Sequence, residues 1–243
     1  MEVSSKDRII FALDFPELTP AVEMVTLLKD SVGVIKVGLQ LFIKEGPKAV
    51  EEVKKAAPDC KVFLDMKLHD IPATVGGAYK SAVSIGVDFV TAHVNDINGI
   101  ALAVKDAHAD TKVLGVTLLT SVSSDDLKIM GFSEEYQDPH KLVLHRALMA
   151  KEAGLAGVVC SPLEAAAVRE AVGPDFIIVT PGIRPTQGTS DDQKRIATPH
   201  NAIKDGADYI VVGRPIKDAA DPVESAEGIA RDIERAQAEK AVE

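Results

Sequence analysis

Short apolar runs recur along the chain with longer amphipathic stretches between them. The eight runs are Arg8–Asp14 (RIIFALD), Val34–Leu39 (VIKVGL), Val62–Lys67 (VFLDMK), Phe89–His93 (FVTAH), Val113–Leu118 (VLGVTL), Gly157–Ser161 (GVVCS), Phe176–Thr180 (FIIVT) and Tyr209–Gly213 (YIVVG). Near-continuous Val/Ile/Leu runs suit parallel strands buried on both faces, and each spacer is long enough for a crossover helix. Eight such units predict an α/β protein folded as a single closed (β/α)8 TIM barrel. An open doubly wound sheet usually has a glycine-rich phosphate turn after its first strand, and none follows Asp14.

Helix starts support this register. Thr19-Pro20, Ser161-Pro162, Thr198-Pro199 and Asp221-Pro222 each place a capping oxygen before a proline at the first helical position. They follow strands one, six, seven and eight of the proposed order. No shift in composition marks a boundary, so residues 1–243 read as one barrel domain. The segment from Pro181 to Pro199 is long and polar, the kind of loop that compact domains keep for function or leave disordered.

Composition narrows the possibilities further. The length of 243 residues suits one barrel of about 250. A net charge of -10 excludes non-specific nucleic-acid binding, which needs a cationic surface, yet local arginines can still serve a small anionic substrate. Cys60 and Cys160 lie in or beside apolar runs and read as two thiols of a reducing compartment. The polar start, Met1 to Lys6, lacks the apolar core of a signal peptide, and no run is long enough to span a bilayer. A cytoplasmic protein without a membrane partner is expected.

Barrels of this kind carry their active sites at the C-terminal ends of the strands. There the sequence offers Asp14, Lys36, the set Asp65, Lys67 and Asp70, then His93, Thr120, Arg184 and Gly213-Arg214. Charges inside apolar strands must be satisfied internally, because unpaired buried charges are too costly. Asp65 and Lys67 are two apart on one strand and should share a face, with Lys36 on the adjacent strand able to join them. Such an array serves either catalysis or only the cohesion of the barrel. With acids on both sides, Lys67 reads as a fixed ammonium and proton donor rather than a Schiff-base amine. A divalent metal is less natural, since an ammonium among the carboxylates competes with it. His69 is expected to make a structural hydrogen bond, while His108, His140, His145 and His200 are expected to be solvated. Pro181-Gly182-Ile183-Arg184-Pro185 and Val212-Gly213-Arg214-Pro215 follow strands seven and eight, where barrels often bind phosphate.

From Ile10 to Pro215 the chain resembles the orotidine 5'-phosphate decarboxylase family, most specifically in Asp65-Met66-Lys67-Leu68-His69-Asp70-Ile71-Pro72. The opening Ala12-Leu13-Asp14, the segment Lys36-Val37-Gly38, the turn Pro181-Gly182-Ile183-Arg184 with Asp191-Asp192-Gln193, and Val212-Gly213-Arg214-Pro215-Ile216 also match. The resemblance implies conversion of orotidine 5'-phosphate to uridine 5'-phosphate, the last step of de novo pyrimidine nucleotide synthesis, without a cofactor or metal. It implies that Lys67 protonates C6 of the pyrimidine as carbon dioxide leaves and that Asp65 lies against the substrate carboxylate. Lys36 and Asp70 would complete the charged array and contact the ribose, with Asp14 also on the ribose and Thr120 on the pyrimidine. Arg184, Gln193, Gly213 and Arg214 would hold the phosphate, with Gln187 the alternative to Gln193, and the loop from Pro181 would close over substrate. Asp70, Ile71 and Thr74 would reach the site of a neighbouring subunit, implying a homodimer with shared sites. The alternative is a related barrel, a Mg-dependent sugar-phosphate decarboxylase or aldolase, which shares the Asp-x-Lys-x-x-Asp spacing but lacks the His-Asp-Ile-Pro continuation.

Overall fold

In the computed structural model, which describes residues 3–95, 101, 110–185 and 197–240, each apolar run forms a strand. These are β1 Ile9–Ala12, β2 Val34–Gly38, β3 Lys61–Leu68, β4 Phe89–His93, β5 Lys112–Val116, β6 Gly157–Val159, β7 Ile177–Thr180 and β8 Tyr209–Val212. They close into a barrel in chain order, every pair parallel, with β8 returning to β1. The fold is the (β/α)8 barrel. Five of the runs extend past the ladder at the C-terminal end: Leu13, Asp14, Leu39, Leu118, Ser161 and Gly213 follow the last paired residue of their strands. The chain leaves the ladder there to turn towards its helix, and those turns form the rim of the site.

Two apolar layers hold the barrel together. Inside it, Ile10, Val34, Phe63, Phe89, Leu114, Val179 and Tyr209 pack into one cluster, with Phe89 edge-on to both Phe63 and Tyr209. Outside it, Ile9, Phe11, Ile35 and Val37 pack against helix residues such as Val25, Val50, Ile229 and Ile233. Each fully buried side chain of this size contributes about 1.5–3 kcal/mol. Period-two alternation makes Ala12, Lys36 and Asp65 the next inward positions after Ile10, Val34 and Phe63. The apolar cluster is therefore a floor, and charge begins one layer above it.

Three of the four expected caps are in place. Thr198 accepts from the Asn201 amide ahead of helix Pro199–Lys204, and Asp221 accepts from the amides of Val223 and Glu224 ahead of helix Pro222–Lys240. Ser161 caps a single 3-10 turn, Pro162–Glu164, before helix Ala165–Val172. The exception is Thr19-Pro20. That helix spans Leu18–Leu28 with Glu17 at its cap, which places Pro20 third in the first turn, where an amide is not required anyway. Asp138-Pro139 uses the same device ahead of helix Pro139–Glu152 and was not anticipated.

The expectation of solvated histidines holds for His140 and His145, which are exposed, and needs correction for His200, which is half-buried. His140 pairs with the buried Glu164 at 3.2 Å, His200 with Glu239 at 3.1 Å, and His145 stacks on Tyr136 at 4.8 Å. Each helix edge lies against a neighbouring element, so these rings have partners. His108 lies outside the described residues. Cys60 and Cys160 are free thiols. No helix among the described residues is long and apolar enough to cross a membrane.

Candidate active site

The charged residues converge by a route that regular alternation does not foresee. Across β3 and β4, Leu64 pairs with Val90 and Leu68 with Ala92, so four steps of one strand face two of the other. The surplus forms a bulge, the usual means of re-aiming a side chain at a barrel rim. Within it Lys67 has φ 51°, the one non-glycine residue with positive φ among those described. A left-handed conformation costs a side-chain-bearing residue about 1–2 kcal/mol. Thr91 on β4 meets the bulge: its hydroxyl accepts the Lys67 amide at 2.8 Å and donates to Asp65 Oδ1 at 2.9 Å.

Asp65 is the hub. Lys67 Nζ lies 2.8 Å from both Asp65 oxygens, and Lys36 Nζ lies 3.6 Å from Oδ2 and 3.3 Å from Asp14 Oδ1. Burial pushes the Asp65 carboxyl up, but Lys36, Lys67 and the hydrogen bonds from Lys67 and Thr91 outweigh it and hold the group below the ordinary carboxylate range. Gly38 makes room for this arrangement. A methyl group there would sit 3.0 Å from Lys36 Nζ and 3.2 Å from Asp14 Oδ1.

These groups occupy one wall of a cavity of about 500 Å³, ample for a nucleotide-sized ligand. It is lined by Asp14, Lys36, Asp65, Lys67 and Thr120 together with Gly182, Arg184, Gly213 and Arg214. Gly182 has φ 82°, a turn that glycine takes without strain, and it lets Ile183 bridge to Ala197. That bridge, with the Arg184 amide donating to the Ala197 carbonyl at 2.9 Å, ties the long segment after β7 at its neck. The cavity thus brings an alternating charge array and two arginines onto its walls. Such a lining takes an anion with a second polar or anionic group.

Comparison with known proteins agrees with that chemistry. The model of the orotidine 5'-phosphate decarboxylase / HUMPS family matches residues 7–229. The chain belongs to this family. Relatives include the orotidine 5'-phosphate decarboxylase of Desulfosudis oleivorans, 46% identical over 235 residues, covering 95% of this chain and 94% of that one. That of Moorella thermoacetica is 42% identical over 244 residues, covering 96% and 95% of the two chains. Among solved structures, the orotidine 5'-phosphate decarboxylase of Lactobacillus acidophilus superposes with a TM-score of 0.80 at 35% identity, covering 93% of this chain and 99% of that one. The chain is an enzyme of this family.

Not every residue expected at the site meets the cavity within one chain. Asp70, Ile71 and Thr74 are exposed, and they are absent from the cavity wall. Asp70 accepts the amide of the next residue, Ile71, at 2.7 Å. The charge array of a single chain is therefore Asp14, Lys36, Asp65 and Lys67, without Asp70. Gln187 and Gln193 lie outside the described residues. His69 makes a side-chain contact with Asn95 at 3.3 Å, and His93 packs 5.5 Å from the His69 ring without lining the cavity. Burial, followed by the charges of His69 and Arg146, pushes His93 down, which leaves it neutral near pH 7.

Sequence reasoning missed Thr91 and Lys217. A threonine in a β-rich run carries no signal beyond strand propensity. Lys217 reads as a surface lysine, but it lines the cavity, with its Nζ 3.4 Å from the Asp14 carbonyl and 5.5 Å from the Phe15 ring centre.

Proposed function

We propose that this chain decarboxylates orotidine 5'-phosphate to uridine 5'-phosphate, the last step of de novo pyrimidine nucleotide synthesis, without a cofactor. The observation that carries the reading is the Lys67 ammonium 2.8 Å from both Asp65 oxygens, in a cavity that Arg184 and Arg214 also line. When the bond between C6 and the carboxylate breaks, its electron pair stays on C6. Most decarboxylases give such a pair to a cofactor. Here an ammonium fixed in advance would stabilise the developing carbanion and then transfer its proton to C6. Asp65, held ionised, would lie against the departing carboxylate, while Lys36 and Asp14 would bind the ribose and Thr120 the pyrimidine.

The phosphate would sit on Arg184, Gly213 and Arg214, with a glutamine of the segment after Pro185 as a further contact. Binding energy from this remote group can be expressed at the ring. Replacing Arg214 by Ala removes a charge-assisted fork worth about 1.5–3 kcal/mol. We expect kcat/KM for orotidine 5'-phosphate to fall about 10- to 100-fold, and turnover of orotidine, which lacks the phosphate, to be unchanged. Equal losses on both substrates would remove Arg214 from the phosphate site.

The test of the reaction itself is the loss of ultraviolet absorbance as orotidylate becomes uridylate. Chelation separates this reading from a Mg-dependent sugar-phosphate enzyme of the same barrel type. Among the described residues, no three His, Cys, Asp or Glu side chains gather in a metal-binding group. Two lysines already occupy the oxygens of Asp65. We expect full activity in EDTA; loss on chelation, restored by magnesium, would favour the metal-dependent class. We further propose that residues 1–243 form one barrel domain, that two copies pair around shared sites, and that the enzyme works in the cytoplasm, consistent with its free thiols.

A further inference from the structure

The amide of Lys67 and the carboxylate of Asp65, both on β3, meet on one side chain of the neighbouring strand β4, that of Thr91. A backbone amide can only donate, so the Thr91 oxygen must accept from Lys67 N, at 2.8 Å. Its own hydrogen is then left for another acceptor, and Asp65 Oδ1 lies 2.9 Å away. The direction of both bonds is fixed by this logic. Thr91 is 0% exposed, so bulk water has no access to replace either bond.

We propose that Thr91 is a positioning residue of the active site, acting through Lys67 and Asp65 rather than touching the substrate. This inference deepens the reading of the site given above and rests on it. The bulge in β3 leaves the amide of Lys67 off the ladder, since its neighbours Leu64 and Leu68 pair with Val90 and Ala92. Thr91, between those two partners, supplies the missing acceptor. Without it, the Lys67 amide loses its acceptor on β4, and relaxation of the turn held at φ 51° would swing the ammonium away from the position it now takes. The second bond pins Asp65 Oδ1, which fixes the carboxylate plane and leaves Oδ2 for Lys36 at 3.6 Å. One hydroxyl thus sets the aim of the cation and the tilt of the anion. A threonine suits the task because its branched Cβ restricts the hydroxyl to few rotamers.

The experiment is the series Thr91→Val, Thr91→Ser and Thr91→Cys, measured as kcat and KM per folded site, with active sites counted by stoichiometric binding of a tight nucleotide inhibitor. Valine keeps the shape and removes both bonds. We expect kcat to fall about 10- to 100-fold with KM changed less than about threefold, and serine to recover most of the loss. Wild-type kcat per folded site in the valine variant overturns the proposal, as does a serine variant no better than valine. If the valine chain does not fold, cysteine, a small group that hydrogen-bonds weakly, takes its place with the same expectation of at least about a tenfold loss. Amide hydrogen exchange at Lys67 provides a readout independent of turnover. It should be slow in the wild type and the serine variant, and at least about tenfold faster without the hydroxyl. A wild-type chain that leaves orotidine 5'-phosphate untouched defeats the assigned reaction, while the exchange rates still decide whether Thr91 holds Lys67. Exchange unchanged by valine defeats the Thr91 proposal alone.

Discussion

Replacing Lys67 by Ala is expected to lower decarboxylation of orotidine 5'-phosphate by more than about 10⁴-fold while leaving binding of uridine 5'-phosphate within about tenfold of the wild type. The large loss arises because one group would supply two effects, the fixed positive charge and the proton. Each alone is typically worth about 10²-fold or more. The small effect on binding follows from the other groups that line the cavity, since Arg184, Gly213 and Arg214 follow β7 and β8 and do not adjoin β3, which carries Lys67. Removing Lys67 also leaves Asp65 with Lys36 as its one neighbouring ammonium among the described residues. Damage to the fold is separable from damage to the chemistry, because Lys67 has φ 51°. Lys67→Gly meets no penalty there, so it should be about 1 kcal/mol more stable than Lys67→Ala in denaturant titrations yet equally inactive. Substantial turnover by both variants, with the inhibitor-counted sites intact, would remove Lys67 from the reaction.

The same residue marks where sequence stops being informative. Asp65 and Lys67 could be singled out because charges inside an apolar run have to be satisfied by something. The strand ends could be read because eight runs of similar length leave few other ways to bury their faces. Simple alternation put Asp65 and Lys67 on one side, and their side chains do meet. The backbone achieves this by a bulge and a positive φ, for which glycine or asparagine would have been the usual marker and lysine is not. Thr91 was invisible for a related reason: its function comes from an irregularity in another strand, and its own strand is ordinary. Gly38 likewise looks like any strand-end glycine until Lys36 and Asp14 are seen to meet beside it. Local pattern encodes burial and periodicity, whereas departures from regular pairing are settled by tertiary contacts. Thr19-Pro20 shows the opposite error, a local signal displaced by two positions because Pro20 fits anywhere in the first turn.

Two inactive variants should restore activity to each other when mixed. Asp70, Ile71 and Thr74 stand just after β3, within a few residues of Lys67, yet none of the three lines the cavity of its own chain. Ile71 is 66% exposed, an apolar side chain left mostly uncovered by the chain itself. In a two-fold dimer the same patch meets itself, so whatever one chain projects into its partner's site the partner projects back. On the proposed shared site, Asp70 would complete the array around Lys67 of the other chain, and Asp70→Ala would be expected to reduce turnover at least about 100-fold. Suppose a Lys67→Ala chain pairs with an Asp70→Ala chain. One of the two sites then carries both substitutions, and the other draws its lysine from one chain and its aspartate from the other, so it is complete. Random pairing after mixing, unfolding and refolding would make half the dimers mixed, so about a quarter of the wild-type sites should return. Activity should rise with the mixing ratio and peak at equal amounts. If each parent stays inactive and their mixture does too, while tagged chains demonstrate that mixed dimers have formed, Asp70 does not cross between subunits. The exposed Asp70-Ile71-Pro72 corner would then need another explanation.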